Sequence, residues 1–157
     1  MQPRFPVLVV EDNPDDIFFV RLAFDAAKLH HPLFSVCDGR QAIEYLSGAG
    51  QYADRKQFPL PRFVFTDLKM PHLDGFELIK WMRNDAYCRR VPIIALSGSG
   101  IAEDVNRSYE LGANAYMVKP VGATAVERLL RTIGEFWDLG ENSAFDSLES
   151  PSDSFRS

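Results

Sequence analysis

Cysteine is nearly missing from this chain of 157 residues, which has only Cys37 and Cys88. Two isolated thiols give neither a disulfide framework nor a metal-ligand spacing, so a reduced, cytoplasmic setting is expected. No apolar run approaches the roughly 18 residues of a membrane span. The opening Met1-Gln2-Pro3-Arg4 lacks the apolar stretch of a secretory signal, and no membrane partner is expected. Basic residues are outnumbered, with 17 Lys and Arg against 22 Asp and Glu and a formal charge of −5. A nucleic-acid face built from clustered cations is therefore excluded. A Gly-rich phosphate loop is absent too, which removes P-loop nucleotide hydrolysis. What remains is an ordinary globular composition, 46% hydrophobic and 25% charged, with enough chain to bury one core.

The charge is unevenly spread. From Asp138 onward the acids Asp138, Glu141, Asp146, Glu149 and Asp153 face Arg156 alone. This segment is rich in serine and interrupted by Gly140, Asn142 and Pro151, with too little periodic apolar content to offset the entropy of ordering it. Residues 1–139 are read as one domain and 140–157 as an acidic tail. That tail is either a mobile terminus or a docking segment that uses Phe145, Leu148 and Phe155.

Short apolar runs recur at Pro6-Val10, Leu33-Cys37, Phe63-Thr66, Pro92-Leu96 and Ala115-Val118. Continuous apolarity of this length marks strands buried on both faces. Helix-period segments lie between them. Asn13 can cap a helix with Pro14 at its first position, Asp15 and Asp16 in its first turn, and a stripe of Ile17, Val20, Phe24 and Ala27. Gly39 to Ser47 gives a second helix. A third begins near Asp74 and carries Gly75, Leu78, Ile79 and Met82. A fourth runs from Ala102 to Leu111 and stops at Gly112. The fifth carries a Thr124-x-x-Glu127 capping box and a stripe of Val126, Leu129, Leu130, Ile133 and Trp137. Gly48 to Arg62, with Pro59 and Pro61, reads as an extended surface loop. Five strands alternating with five helices imply an α/β fold, a doubly wound (βα)5 parallel sheet with helices on both faces.

The chemistry stands where the strands end. The first is followed by Glu11 and Asp12, the third by Asp67, the fourth by Ser97 and the fifth by Lys119-Pro120. In an open parallel sheet these carboxyl ends converge on one crevice. Three acids so close cannot all stay ionised cheaply. A divalent cation resolves this: three acids, Lys119 and Mg²⁺ together are neutral. Hard oxygen ligands with open positions favour Mg²⁺ over zinc or copper. Each residue alone has a plainer reading: Asp12 as a helix cap, Ser97 as a loop residue, Lys119-Pro120 as a turn. Their joint placement at successive sheet-end positions argues for a site.

Taken together, Val9-Val10-Glu11-Asp12-Asn13-Pro14, Thr66-Asp67-Leu68-Lys69-Met70-Pro71 with Asp74-Gly75, Leu96-Ser97-Gly98 and Tyr116-Met117-Val118-Lys119-Pro120 resemble the receiver domain of two-component response regulators. The resemblance spans about residues 5–137 and implies a flavodoxin-like strand order 2-1-3-4-5. It implies that Asp67 accepts a phosphoryl group from a sensor histidine kinase. It also implies that Asp12, Asp67 and the Lys69 backbone carbonyl ligate Mg²⁺, with Glu11 acting mainly through a bound water. Lys119 and Ser97 would contact the phosphoryl group. Movement of Ser97 would let Tyr116 rotate as a switch, although Tyr116 also reads as half-buried packing. Pro120 would follow a cis peptide bond. Gly75 and Gly112 would serve close packing and helix termination, while Lys69 and Ser99 would tune phosphoryl lifetime.

Two features resemble a subgroup, the small stand-alone receivers that partner bacterial phytochrome kinases. These are the long loop with Gln51-Tyr52-Ala53 and the ending Glu135-Phe136-Trp137. The resemblance implies an unidentified downstream protein and a homodimer through the fourth and fifth helices. Tyr109, Phe136 and Trp137 would supply that contact, unless they only close the core. Aspartyl-nucleophile phosphatases resemble Asp-x-Asp instead, and Asp67-Leu68-Lys69 lacks the second acid, so a turnover enzyme is not expected. The competing reading is a receiver-like scaffold that binds partners without being phosphorylated.

Overall fold

The computed structural model describes residues 5–98 and 100–138, with backbone alone at 130 and 132–138. In chain order the elements are β1 (Val7–Val10), α1 (Pro14–Ala26), β2 (Leu33–Val36), α2 (Gly39–Ser47), β3 (Phe63–Asp67), α3 (Gly75–Asn84), β4 (Ile93–Ser97), α4 (Ala102–Leu111), β5 (Ala115–Val118) and α5 (Ala123–Asp138). The strands form one parallel sheet in the order β2-β1-β3-β4-β5. Strand order and layering are those the resemblance implies.

Alternation along each strand divides the interior into two cores. Leu8, Val10, Val64, Ile93 and Ala95 face α2 and α3, meeting Ala42, Tyr45, Leu78, Ile79 and Met82. Val7, Val9, Phe63, Phe65, Ile94 and Leu96 face the other way, toward Val20, Ala23 and Phe24 of α1 and Val126 of α5. The central strands β1, β3 and β4 are buried throughout, whereas the edge strands β2 and β5 are only partly buried. Continuous apolarity thus marks full burial only in the middle of the sheet.

The caps follow the sequence. The Asn13 side chain accepts from the Asp15 N–H at 2.9 Å, Asp38 from Gln41 at 2.8 Å, and Asp74 from Glu77 at 2.9 Å. Gly112 ends α4 in the left-handed region, φ 117°, where a side chain would be strained. On α1 the fully buried residues are Val20, Ala23 and Phe24, while Ile17 is half-buried and Ala27 caps the helix end.

Three expectations need correction. The strands β3 and β4 extend one residue further than the apolar runs, so Asp67 and Ser97 belong to the ladder itself, opposite Leu96 and Val118. The Thr124 capping box does not form. The last helix begins at Ala123, Val126 N–H donates to Gly122 O at 3.1 Å, and the Glu127 carboxylate instead accepts from Arg131 at 2.7 Å. Finally, Gly48 to Arg62 is not a bare surface loop. It forms a 3-10 turn at Gly50–Tyr52 and buries Tyr52, whose ring lies 5.1 Å from those of both Tyr45 and Phe58. Arg55 donates to Tyr45 O at 2.8 Å and Leu46 O at 2.9 Å, adding to the Gly48 N–H bond that Tyr45 O already accepts and tying the segment to the end of α2. Ser99, Leu130, Ile133, Phe136, Trp137 and the tail 140–157 lie outside the residues whose side chains are described.

Candidate functional site

The site is built from residues whose backbones the sheet holds fixed. Asp67 closes β3 and is 8% exposed. Its Oδ1 accepts from the Leu68 N–H at 2.8 Å, which orients the carboxylate. Beneath it, α3 starts unusually close: a Cβ on Gly75 would stand 2.1 Å from Asp67 O and 2.8 Å from Leu68 Cα. Only glycine lets the helix terminus approach so near the acid, and Gly75 N–H donates to Leu68 O at 3.0 Å.

Glu11 follows β1 and is 1% exposed. Its Oε1 accepts from the Asn13 N–H at 3.1 Å and its Oε2 from Lys119 Nζ. Burial pushes the Glu11 carboxyl above its ordinary range, against the opposing pull of those two hydrogen bonds. Asp12, by contrast, is exposed. One carboxylate oxygen from each of Glu11, Asp12 and Asp67 lies within 4.8 Å of the others. Two buried acids and one open to solvent, all hard oxygen donors, fit a Mg²⁺-type cation that keeps part of its water shell.

Lys119 follows β5. Its N–H donates to Ser97 O at 2.7 Å, which ties the two strand ends together, and the Lys119-Pro120 peptide is cis. The ammonium lies 3.0 Å from Asp16 Oδ2 and 3.3 Å from Asp67 Oδ2, besides its bond to Glu11. Burial by itself would depress Lys119. The hydrogen bonds to Glu11 and Asp16 and the charge of Asp67 outweigh it and hold the group above its ordinary value. The stem lines a small cleft with Asp16, Phe19, Val20, Leu96, Pro120 and Val121.

The fold therefore brings Glu11, Asp12, Asp67 and Lys119 into one constellation, with Ser97, 4% exposed, on the neighbouring strand end. Tyr116 is half-buried against the core on the α2–α3 side. Lys69, two residues past Asp67, turns its side chain to Asp104 of α4, 3.6 Å away. Asp16 is the residue that reading the sequence missed. Its local sequence reads only as a favourable charge at a helix start, yet it lies four residues before Val20 and seven before Ala23, both buried. That periodicity puts Asp16 on the sheet-facing side of α1.

A carboxylate held beside an ammonium and a cluster of further acids, at the carboxyl end of a parallel sheet, is equipped for metal-assisted phosphoryl chemistry. Comparison with known proteins agrees. The model of the response regulator receiver domain matches residues 7–131, and the chain belongs to that family. Among characterised relatives, it is similar to response regulator Rcp1 of Synechocystis, 29% identical over 135 residues, covering 86% of this chain and 90% of that one. A crystal structure of phosphorylated cyanobacterial phytochrome response regulator RcpA is 30% identical with a TM-score of 0.71, covering 86% of this chain and 94% of that one. The bacteriophytochrome response regulator AtBRR is 34% identical with a TM-score of 0.75, covering 87% and 96%. The strand order, the cluster and the family agree with one another: this is a response regulator receiver similar to phytochrome response regulators. Among the described residues no helix is long and apolar enough to cross a membrane.

Proposed function

We propose that this chain is a phosphorylation-controlled signalling receiver in which Asp67 is the acceptor. An Asp67 carboxylate oxygen attacks the phosphorus of a phosphohistidine on a sensor kinase. The new O–P bond forms as the P–N bond breaks, and the imidazole nitrogen keeps the electron pair. Asp12, Asp67 and the Lys69 carbonyl, with Glu11 acting mainly through a bound water, would hold Mg²⁺, which would supply charge neutralisation for the incoming phosphoryl oxygens. Lys119 offers a second positive charge from the opposite strand end, and the Ser97 hydroxyl donates to the phosphoryl group once it is attached. In this way the chain assists its own phosphotransfer and dephosphorylation without turning over a substrate. Rotation of Tyr116 after Ser97 moves is the switch that we assign to it.

The observation that carries this reading is the Lys119 ammonium 3.3 Å from Asp67, beside a three-carboxylate cluster. Similarity to receivers named for phytochromes supports a bacterial phytochrome as the donor kinase, in a cytoplasmic light-sensing pathway. Exposed Ile101 and Tyr109 on the α4 side and Val118 of β5 support a homodimer through this face, with the downstream partner unidentified. The boundary near residue 139 belongs to the same reading.

Radiolabelled acetyl phosphate tests it. The native chain should take up label with Mg²⁺ and take up none when the Mg²⁺ is chelated beforehand, and Asp67→Asn should label only to background. Labelling that persists in Asp67→Asn moves the acceptor elsewhere. A native chain that takes up none is the passive scaffold instead.

A further inference from the structure

We propose that Asp16 is a positioning residue that aims Lys119 at the reacting phosphoryl group; the inference rests on Asp67 being the phosphoacceptor. An ammonium has three N–H donors. Two of the three carboxylates around Lys119 are hydrogen-bonded to it, Glu11 and Asp16, the latter at 3.0 Å. The third, Asp67 Oδ2, is farther away at 3.3 Å and makes an ion pair with no hydrogen bond. Glu11 and Asp16 therefore anchor the head group through two of its donors and hold the ammonium 3.3 Å from the acceptor, with its third donor not committed to either anchor. There an oxygen of the transferred group can take it without moving the side chain.

The two anchors come from different elements. Glu11 hangs from the end of β1 and Asp16 stands on the first turn of α1, so the Lys119 head is fixed from two directions. The walls around the stem are apolar, with Phe19, Val20, Leu96 and Val121 lining the same cleft, and a low-dielectric wall strengthens each of these contacts. Lys119 is itself only 14% exposed at its side chain, so water does little to hold it. Asp16 is not one of the three clustered carboxylates that fit a cation. With Mg²⁺ present those three and Lys119 already balance, so a fourth acid is not needed for neutrality. Its use is geometric. A catalytic cation held in a near-reactive position lowers the reorganisation that transfer requires.

The test compares Asp16→Ala and Asp16→Asn with the native chain, using phosphoramidate as donor and saturating Mg²⁺. Asp16 is part-exposed, 28% at its side chain, and both variants should fold, which far-UV circular dichroism verifies. Asp16→Ala should lower the maximal phosphorylation rate by about tenfold or more, the scale of a misplaced catalytic group. Asp16→Asn, whose amide oxygen still accepts from Nζ, should recover most of that rate. Mg²⁺ affinity, read by fluorescence titration, should stay within about threefold in both, as for a screened charge outside the coordination sphere. The proposal is overturned if Asp16→Ala is as fast as native. It also fails if both variants lose the rate equally, or if rate and Mg²⁺ affinity fall together. If the native chain takes up no phosphoryl group, the phosphoacceptor reading falls and this one with it; normal native labelling with an indifferent Asp16→Ala removes this one alone.

Discussion

At the scale of single residues, burial decides which titratable groups matter. Glu11 is nearly inaccessible and would be costly as a bare anion, so it persists because Lys119 and the Asn13 N–H answer its two oxygens. His31 is the opposite case, a half-buried base whose charged form burial disfavours. Its Nδ1 accepts from the Phe5 N–H at 2.8 Å and its ring stacks on Phe5 with centroids 5.3 Å apart. Burial, with the neighbouring His30 adding to it, holds His31 below its ordinary value of 6.5. The unfolded chain therefore binds the His31 proton first on acidification. Its stabilising contribution is complete above about pH 6.5 and is lost as pH falls from there toward the folded-state value. Raised Glu11 works in the opposite sense, so the comparison must isolate His31. Melting temperature should fall more steeply between pH 7.5 and pH 5.5 in the native chain than in His31→Asn, which keeps an acceptor that does not titrate. Parallel slopes would remove His31 from the acid response. The sequence alone offers no sign of this, because the Phe5–His31 contact joins residues 26 apart in the chain.

At the scale of elements, what was legible depended on whether the signal was local. Two helix starts carried their own markers, Asn13 and Asp74, and each side chain caps as its type suggests. The sheet-end residues Glu11, Asp12, Asp67, Ser97 and Lys119 were legible for the same reason: each stands at or just past the end of an apolar run. Asp16 was not, because its partner Lys119 lies on the far side of the sequence and only the α1–β5 proximity brings them together. The segment from 48 to 62 was misread because prolines and length suggest a loop, whereas Tyr52, Phe58 and Arg55 fold it onto the end of α2. Close approach of elements makes the sharpest prediction here. Gly75→Ala would place a methyl 2.1 Å from Asp67 O, backbone that cannot swing aside. The start of α3 must then back away from β3, at a cost of about 1–3 kcal/mol. Urea unfolding should show that loss as a lower midpoint with an unchanged slope. A midpoint equal to native would mean that α3 is not seated against β3.

At the scale of the whole molecule, the layered plan was legible because five apolar runs separated by helical periods leave few other solutions. The strand order was not readable from those runs and came with the family resemblance, since no pairing signal distinguishes β2-β1-β3 from its alternatives. The two cores also bear on where the folded unit ends. Among the described residues, the side chains packed into them run from Phe5 to Leu129, and the receiver family match ends at residue 131. Residues 140–157 add four acids and one arginine, Glu141, Asp146, Glu149, Asp153 and Arg156, and lie beyond the span of the family match. Ending the chain after residue 139 should therefore leave the melting temperature within about one degree, because a loss of 1 kcal/mol moves a domain of this size by roughly 2–8 °C. Its uptake of label from acetyl phosphate should be unchanged as well. A drop of about 3 °C or more would assign the tail a docked position on the domain, and the three apolar tail residues Phe145, Leu148 and Phe155 would then be the first to substitute. A tail that is thermally silent yet alters the response to a partner kinase would instead act on recognition, through its excess negative charge, and a salt titration of phosphotransfer would show this as a difference that fades at high ionic strength.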